Sequence, residues 1–180
     1  MGCTVGWCCN RTGHPNLLSN SGDRMNYWLM KSEPAVFGID HLAKRPKQTE
    51  HWDGVRNYQV RNMIRDQMKP GDHAFFYHSS CKEPGITGVI QIKSDAYPDF
   101  SALDPENEHF DPKSSVAKPR WYMVDVQLLR KFNRVIGLAE LKTIDSLADM
   151  PVLRRGNRLS ITPVTSLEWK TILKLADHAR

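Results

Sequence analysis

The chain has 180 residues, a formal charge of +5 and 40% apolar side chains. That length makes one domain with a sizeable core, and the apolar content argues against a disordered chain. No apolar run approaches the roughly 20 residues that cross a bilayer, so no membrane partner is expected, and no signal peptide is evident.

Residues 1–24 read as a flexible leader, with residues 25–180 as the folded domain. Asn, Gly, Ser and Pro dominate after Cys9, and neither sheet nor helix periodicity is present. Cys3, Cys8 and Cys9 stand in this leader and Cys81 alone in the body. That distribution gives no disulfide framework and fits a reducing, intracellular compartment, cytoplasmic or nuclear. Cys3, Cys8, Cys9 and His14 lack the paired spacing of a structural zinc site. Met1-Gly2-Cys3 lacks the Ser or Thr of an acylation motif, because position six is Gly6.

Tyr27-Trp28-Leu29-Met30 predicts the first strand, and Pro34 turns the chain after Lys31-Ser32-Glu33. Ile39 to Leu42 predicts one helical turn. A loop around Trp52 leads into a helix on which Val60, Met63, Ile64 and Met68 recur at helical spacing. Lys69-Pro70-Gly71-Asp72 ends that helix, and His73 to His78 forms an aromatic-rich strand. Gly85 to Ile92 is its partner, with glycines that suit a bend or bulge. Residues 97–120 are a long surface excursion, and Trp121 to Leu128 is a further strand. Leu138, Leu141, Ile144 and Leu147 give a weaker helical signal, and Arg158 to Ile161 a closing strand. Thr165 and Glu168 form a capping box for a last helix with an apolar stripe of Trp169, Ile172, Leu173 and Ala176. Short strands without regular alternation with long helices predict an α+β fold. The expected architecture is a small mixed sheet curled into a barrel, with helices packed outside.

The segment from His51 to Asn62 carries the most chemistry. Trp52 offers a ring face to a planar ligand, or else plugs one end of the barrel. Asn57 suits a base edge, or else caps the following helix. Arg56, Arg61 and Arg65 match phosphate geometry, or else solvate the outer helix face. Lys113, Lys118 and Arg120 form a second basic cluster beside Trp121, which Lys93, Arg130, Lys131 and Arg134 extend only if the strands bring them together. Basic residues interleaved with aromatics fit a single-strand groove. His78, with Ser79 and Cys81, is the nominal catalytic group, but no acidic residue has a fixed relation to it. The aspartates form no metal pattern, and no glycine motif cradles a phosphate. The chain therefore reads as a non-catalytic binding module without metal or cofactor. An enzyme acting on a modified base and a protein-interaction scaffold are the competing readings.

A series of motifs also resembles the EVE domain. They are Tyr27 to Pro34, Trp52-Asp53-Gly54-Val55-Arg56-Asn57-Tyr58-Gln59, Phe75 to Ser79, Tyr97-Pro98-Asp99, Asp111-Pro112-Lys113, Pro119-Arg120-Trp121, Val124-Asp125-Val126 and Arg158-Leu159-Ser160. They run in order from about Tyr27 to Trp169. The resemblance implies a PUA-like fold related to YTH domains, which hold methylated adenine in an aromatic cage. It also implies a reader of modified bases, especially modified cytosine in DNA, with DNA or RNA carrying such a base as partner. The pocket it implies lies between Lys31-Ser32-Glu33 and the Trp52–Tyr58 segment, floored by Tyr77, His78 and Ser79. Trp52 is then one wall and Tyr97 or Trp121 a second, with Ser32, Asn57 and His78 at the base edge. Arg56, Arg61, Lys113, Lys118 and Arg120 are the expected phosphate contacts. YTH cages use several tryptophans, and only Trp52 has a matching place here.

Overall fold

Trp28, Leu29 and Met30 are buried in succession, which requires a strand covered on both faces and therefore central in its sheet. The computed structural model, which describes residues 25–178, shows this arrangement. Strand β1 (Tyr27–Ser32) pairs in parallel with β3 (His73–His78) and antiparallel with β7 (Ile161–Val164). Strand β4 (Gly85–Ile92) follows β3 antiparallel, and the long β6 (Tyr122–Gly137) pairs with β4, with β2 (Thr49–Trp52) and with the short β5 (Tyr97–Pro98). The main path is β2-β6-β4-β3-β1-β7.

The sheet is open. Among the described residues strand β2 pairs only with β6 and β7 only with β1, so the ends of the path do not meet and the expected curled barrel is not formed. The α+β class stands, without closure. Side-chain alternation explains the layering, because neighbouring residues of a strand face opposite sides. Trp28, Met30, Ala74, Phe76, Ile90 and Ile92 enter one core, covered by α2 (Ile39–Lys44) and α3 (Tyr58–Asp66). Leu29, Phe75, Tyr77, Ile86 and Val89 enter the other, covered by α4 (Leu138–Leu141) and α5 (Ser166–Asp177). Each fully buried large apolar side chain stabilises the fold by roughly 1.5–3 kcal/mol.

Local rules fix several joints. Thr165 and Glu168 form the expected reciprocal cap of α5, at 3.3 and 2.7 Å. Asp72 is buried but accepts from the Trp28 indole at 3.0 Å, so both polar groups are satisfied. Strand register shifts between Ile86 and Gly88, where a Cβ would lie 2.4 Å from the Arg130 carbonyl and 2.4 Å from Ile39. Gly88 thus permits β6 and α2 to close on β4. Several strand boundaries differ from expectation: β6 runs on to Gly137 rather than ending at Leu128, and β5 lies within the expected 97–120 excursion. Strand β2 occupies part of the expected Trp52 loop, and the closing strand begins at Ile161 rather than Arg158. The leader, with Cys3, Cys8, Cys9 and His14, lies outside the described residues.

Candidate functional site

Three chain segments converge at one end of the first core. Strand β1 delivers Lys31 and Ser32, paired in register with Tyr77 and His78. Pro34 then starts α1 (Pro34–Phe37), whose Val36 and Phe37 face the same space. Strand β2 ends on Trp52, beside Val124, and releases the loop Asp53-Gly54-Val55-Arg56. Between them is a cleft of about 310 Å³ that includes Lys31, Ser32, Phe37, Trp52, Gly54 and His109. It continues into an adjoining lobe of about 670 Å³ bordered by Glu33, Ser79, Arg158 and Ser160. These sizes lie in the range of small-molecule sites, roughly 300–1,000 Å³.

Trp52 is 7% exposed and belongs to the core, yet it borders this cleft. Its aromatic neighbours approach edge-on: Phe37 at 6.2 Å and 83°, Phe76 at 5.4 Å and 75°. No parallel ring stacks on its indole among the described residues. Lys31 is half-buried, and desolvation lowers its pKa. Among the described residues the side chains of Lys31, Ser32 and Asp53 make no hydrogen bond, which leaves donors and an acceptor unused around the cleft.

The loop wall is clamped rather than loose. Gly54 has φ +72°, and a Cβ there would lie 2.6 Å from His109 Nε2. Only glycine fits both demands. Its amide donates to Asp99 Oδ2 at 3.1 Å. Arg56 donates to the same carboxylate oxygen at 2.7 Å, to Ser101 Oγ at 3.1 Å and to the His109 carbonyl at 2.7 Å. Burial pushes the Asp99 carboxyl upward, but hydrogen bonds from Arg56 and Ser101 and the Arg56 charge prevail, so its pKa lies below the ordinary 3.8. Arg56 is therefore a structural clamp with its donors engaged, not a free phosphate contact.

Other expected site residues divide sharply. Lys31, Ser32, Glu33, Trp52 and Ser79 border the cleft or its lobe. Asn57 caps α3, accepting from the Gln59 and Val60 amides at 2.9 and 3.1 Å. Tyr77 points into the second core, where burial raises its pKa. His78 Nε2 accepts from the Ile39 amide at 3.1 Å, and burial lowers its pKa. Tyr97 donates to Asp125 at 2.6 Å; burial first, then that bond, raise its pKa. Tyr58 and Trp121 stack on one another, 4.9 Å apart, with Arg61 and Arg120 over the Tyr58 ring. Lys113 and Lys118 are exposed on the preceding loop. Arg130, Lys131 and Arg134 pair with Asp177, Asp40 and Glu140, so they do not extend this group as free cations.

Val36, Phe37, Gly54, His109 and Ser160, together with the ion-paired Arg45 and Glu50, also line the cleft without having been singled out as ligand contacts. Ser160 stands in the Arg158-Leu159-Ser160 motif; His109 carries no local signal at all. Among the described residues no three His, Cys, Asp or Glu side chains are grouped to hold a metal ion.

An open mixed sheet with a cleft between its first strand and an aromatic-ended edge strand defines a PUA-like α+β binding domain. The EVE domain profile matches residues 26–175, and the chain belongs to the EVE-domain family. It is 46% identical over 178 residues to mouse thymocyte nuclear protein 1, covering 89% of this chain and 78% of the relative. A crystal structure of the human thymocyte nuclear protein 1 in complex with 5-methylcytosine-containing DNA superposes with a TM-score of 0.80. The sequences are 46% identical there, over 86% of this chain and 99% of the human one. A YTH domain from Zygosaccharomyces rouxii, in complex with N6-methyladenosine RNA, shares the fold alone, at TM-score 0.50 and 15% identity over 88% and 90% of the two chains.

Proposed function

We propose that this protein is a non-catalytic module that binds a modified base in DNA, holding it in the cleft at the end of β1 and β2. The observation that carries this reading is the cleft itself, a space of mixed polarity with Trp52, Phe37 and Val36 on its walls and unused polar groups on Lys31, Ser32 and Asp53 around it. The complex of the human relative with 5-methylcytosine-containing DNA supports the choice of DNA and of a modified base. Trp52 supplies an aromatic surface, a type of contact worth about 1–3 kcal/mol per base. The Lys31 amine and Ser32 hydroxyl offer donors to the base edge, and the amine donates in either protonation state. Glu33 and Ser79 lie in the adjoining lobe, where sugar or a flanking group would rest. The name of the mouse and human relatives, thymocyte nuclear protein 1, supports a nuclear setting.

The test is a titration of paired oligonucleotides that differ only by 5-methylation of one cytosine, at fixed salt. Tighter binding of the methylated member is the expected result. Equal affinity across this and other base modifications overturns the reading.

A further inference from the structure

A group of stacked arginines lies immediately beyond the clamp. Trp121 is 5% exposed, and its indole nitrogen donates to Asp111 Oδ2 at 2.7 Å, which fixes the ring. Tyr58 stacks on it at 4.9 Å and 27°, remaining 48% exposed. Arg61 places its guanidinium carbon 5.0 Å from the Tyr58 ring centroid, and Arg120 places its own at 5.6 Å. Arg120 also donates to the Tyr58 hydroxyl, and Arg61 Nη1 donates to the Arg120 carbonyl at 3.0 Å. Arg56 closes the connection: it borders the cleft, and its guanidinium carbon is 5.4 Å from the Trp121 ring. The cleft and this arginine-bearing ledge are thus one side chain apart.

The charge of the ledge is only partly balanced. Asp111 reaches Arg120 Nη1 at 3.5 Å, whereas Arg61, Lys113 and Lys118 have no acidic partner within ion-pair distance among the described residues. Guanidinium groups held over aromatic rings lose little freedom on binding; Arg61 donates Nε to Asn62 Oδ1 and Nη1 to the Arg120 carbonyl, which leaves Nη2 for a phosphate oxygen. Trp121 and two guanidinium groups already contact the Tyr58 ring, and the charge they bring suits an anionic backbone.

We infer that the Tyr58–Trp121 ledge, with Arg61, Arg120, Lys113 and Lys118, binds the phosphodiester backbone flanking the nucleotide in the cleft. This rests on the base-binding reading for its place along the strand, and its test separates the two. The probes are a short single-stranded oligonucleotide carrying one abasic site and no base modification, and free 5-methyl-2′-deoxycytidine. Affinity for the oligonucleotide is measured across a salt series with wild-type protein and with R61Q/K113Q/K118Q. K113Q/K118Q serves as a second variant that leaves the Arg61–Tyr58 contact intact. Each lost backbone contact makes the logarithmic salt slope shallower by about 0.7 on a single strand. The triple variant is expected to lose about 2 from the slope and the double variant about 1.4, by the same relation. Slopes that coincide for all three proteins overturn the ledge, whether or not the free nucleoside binds. A nucleoside that fails to bind while the slopes still separate sinks the cleft reading and retains the ledge as a backbone site.

Discussion

Trp52 and Trp169 are both nearly buried and face opposite cores, at 7% and 5% exposure. Trp169 is stacked against Tyr27 at 4.5 Å and 17°, and against Phe75 at 4.1 Å and 26°. Among the described residues the aromatic rings near Trp52 approach it edge-on, and its side chain borders a cleft. Fractional exposure alone hardly distinguishes the two indoles. The geometry of their neighbours does: two rings lie flat on Trp169, while no aromatic ring lies flat on Trp52 among the described residues.

Exchange of each tryptophan sharpens this contrast. Trp169→Ala is expected to cost about 3–5 kcal/mol in denaturant unfolding, through a cavity beneath α5. Trp52→Phe keeps the core apolar, so its main effect is expected on the methylated oligonucleotide, with a loss of up to about 1–3 kcal/mol of binding. The comparison fails if Trp52→Phe binds as wild type does, or if the milder Trp169→Phe loses binding at unchanged protein concentration and fold.

The clamp that positions the Trp52 loop has the next largest expected effect. Arg56→Ala leaves the buried Asp99 carboxylate without its cation, a change that costs about 3 kcal/mol for a buried pair. The pH dependence has a definite sign. The folded-state pKa of Asp99 is depressed, so its contribution is complete above the ordinary 3.8 and is lost as pH falls through the lower folded value. Without Arg56, burial acts with less opposition, and acid unfolding followed by circular dichroism is expected to begin at higher pH. An unchanged acid limb contradicts the clamp.

The smallest expected effect is at Gly54. Gly54→Ala adds left-handed backbone strain of about 1–3 kcal/mol and drives a methyl toward His109. Thermal unfolding reads the strain, and nucleoside affinity reads the narrowed cleft. A variant indistinguishable from wild type in both shows that the loop relaxes freely.

Much of the scaffold was legible in the residues. The stripe of Val60, Ile64 and Met68, the Thr165–Glu168 box and the apolar runs of β1, β3 and β4 each specify a local element with its buried side. Strand β2 was not legible, because Thr49-Glu50-His51-Trp52 is mostly polar and is strand only through its pairing with β6. Closure was not legible either, since side-chain alternation is the same in an open sheet and in a barrel. At the site, Lys31, Ser32 and Trp52 border the cleft and Ser79 its adjoining lobe. Tyr77 leaves because its position in the pleat faces the other core, and Asn57 because the α3 amides claim its oxygen. His109 arrives through a fold-back of the 97–120 excursion against Gly54, a contact between distant positions with no short-range trace.

The unjoined sheet ends carry one more consequence. An exposed strand margin is a template for hydrogen bonding to another molecule, and proteins blunt such margins with brevity, charge or proline. Here β7 is four residues long and contains Pro163, which has no amide hydrogen to offer, while β2 is equally short and contains Glu50. Both margins thus carry features of the kind that disfavour pairing with a foreign strand.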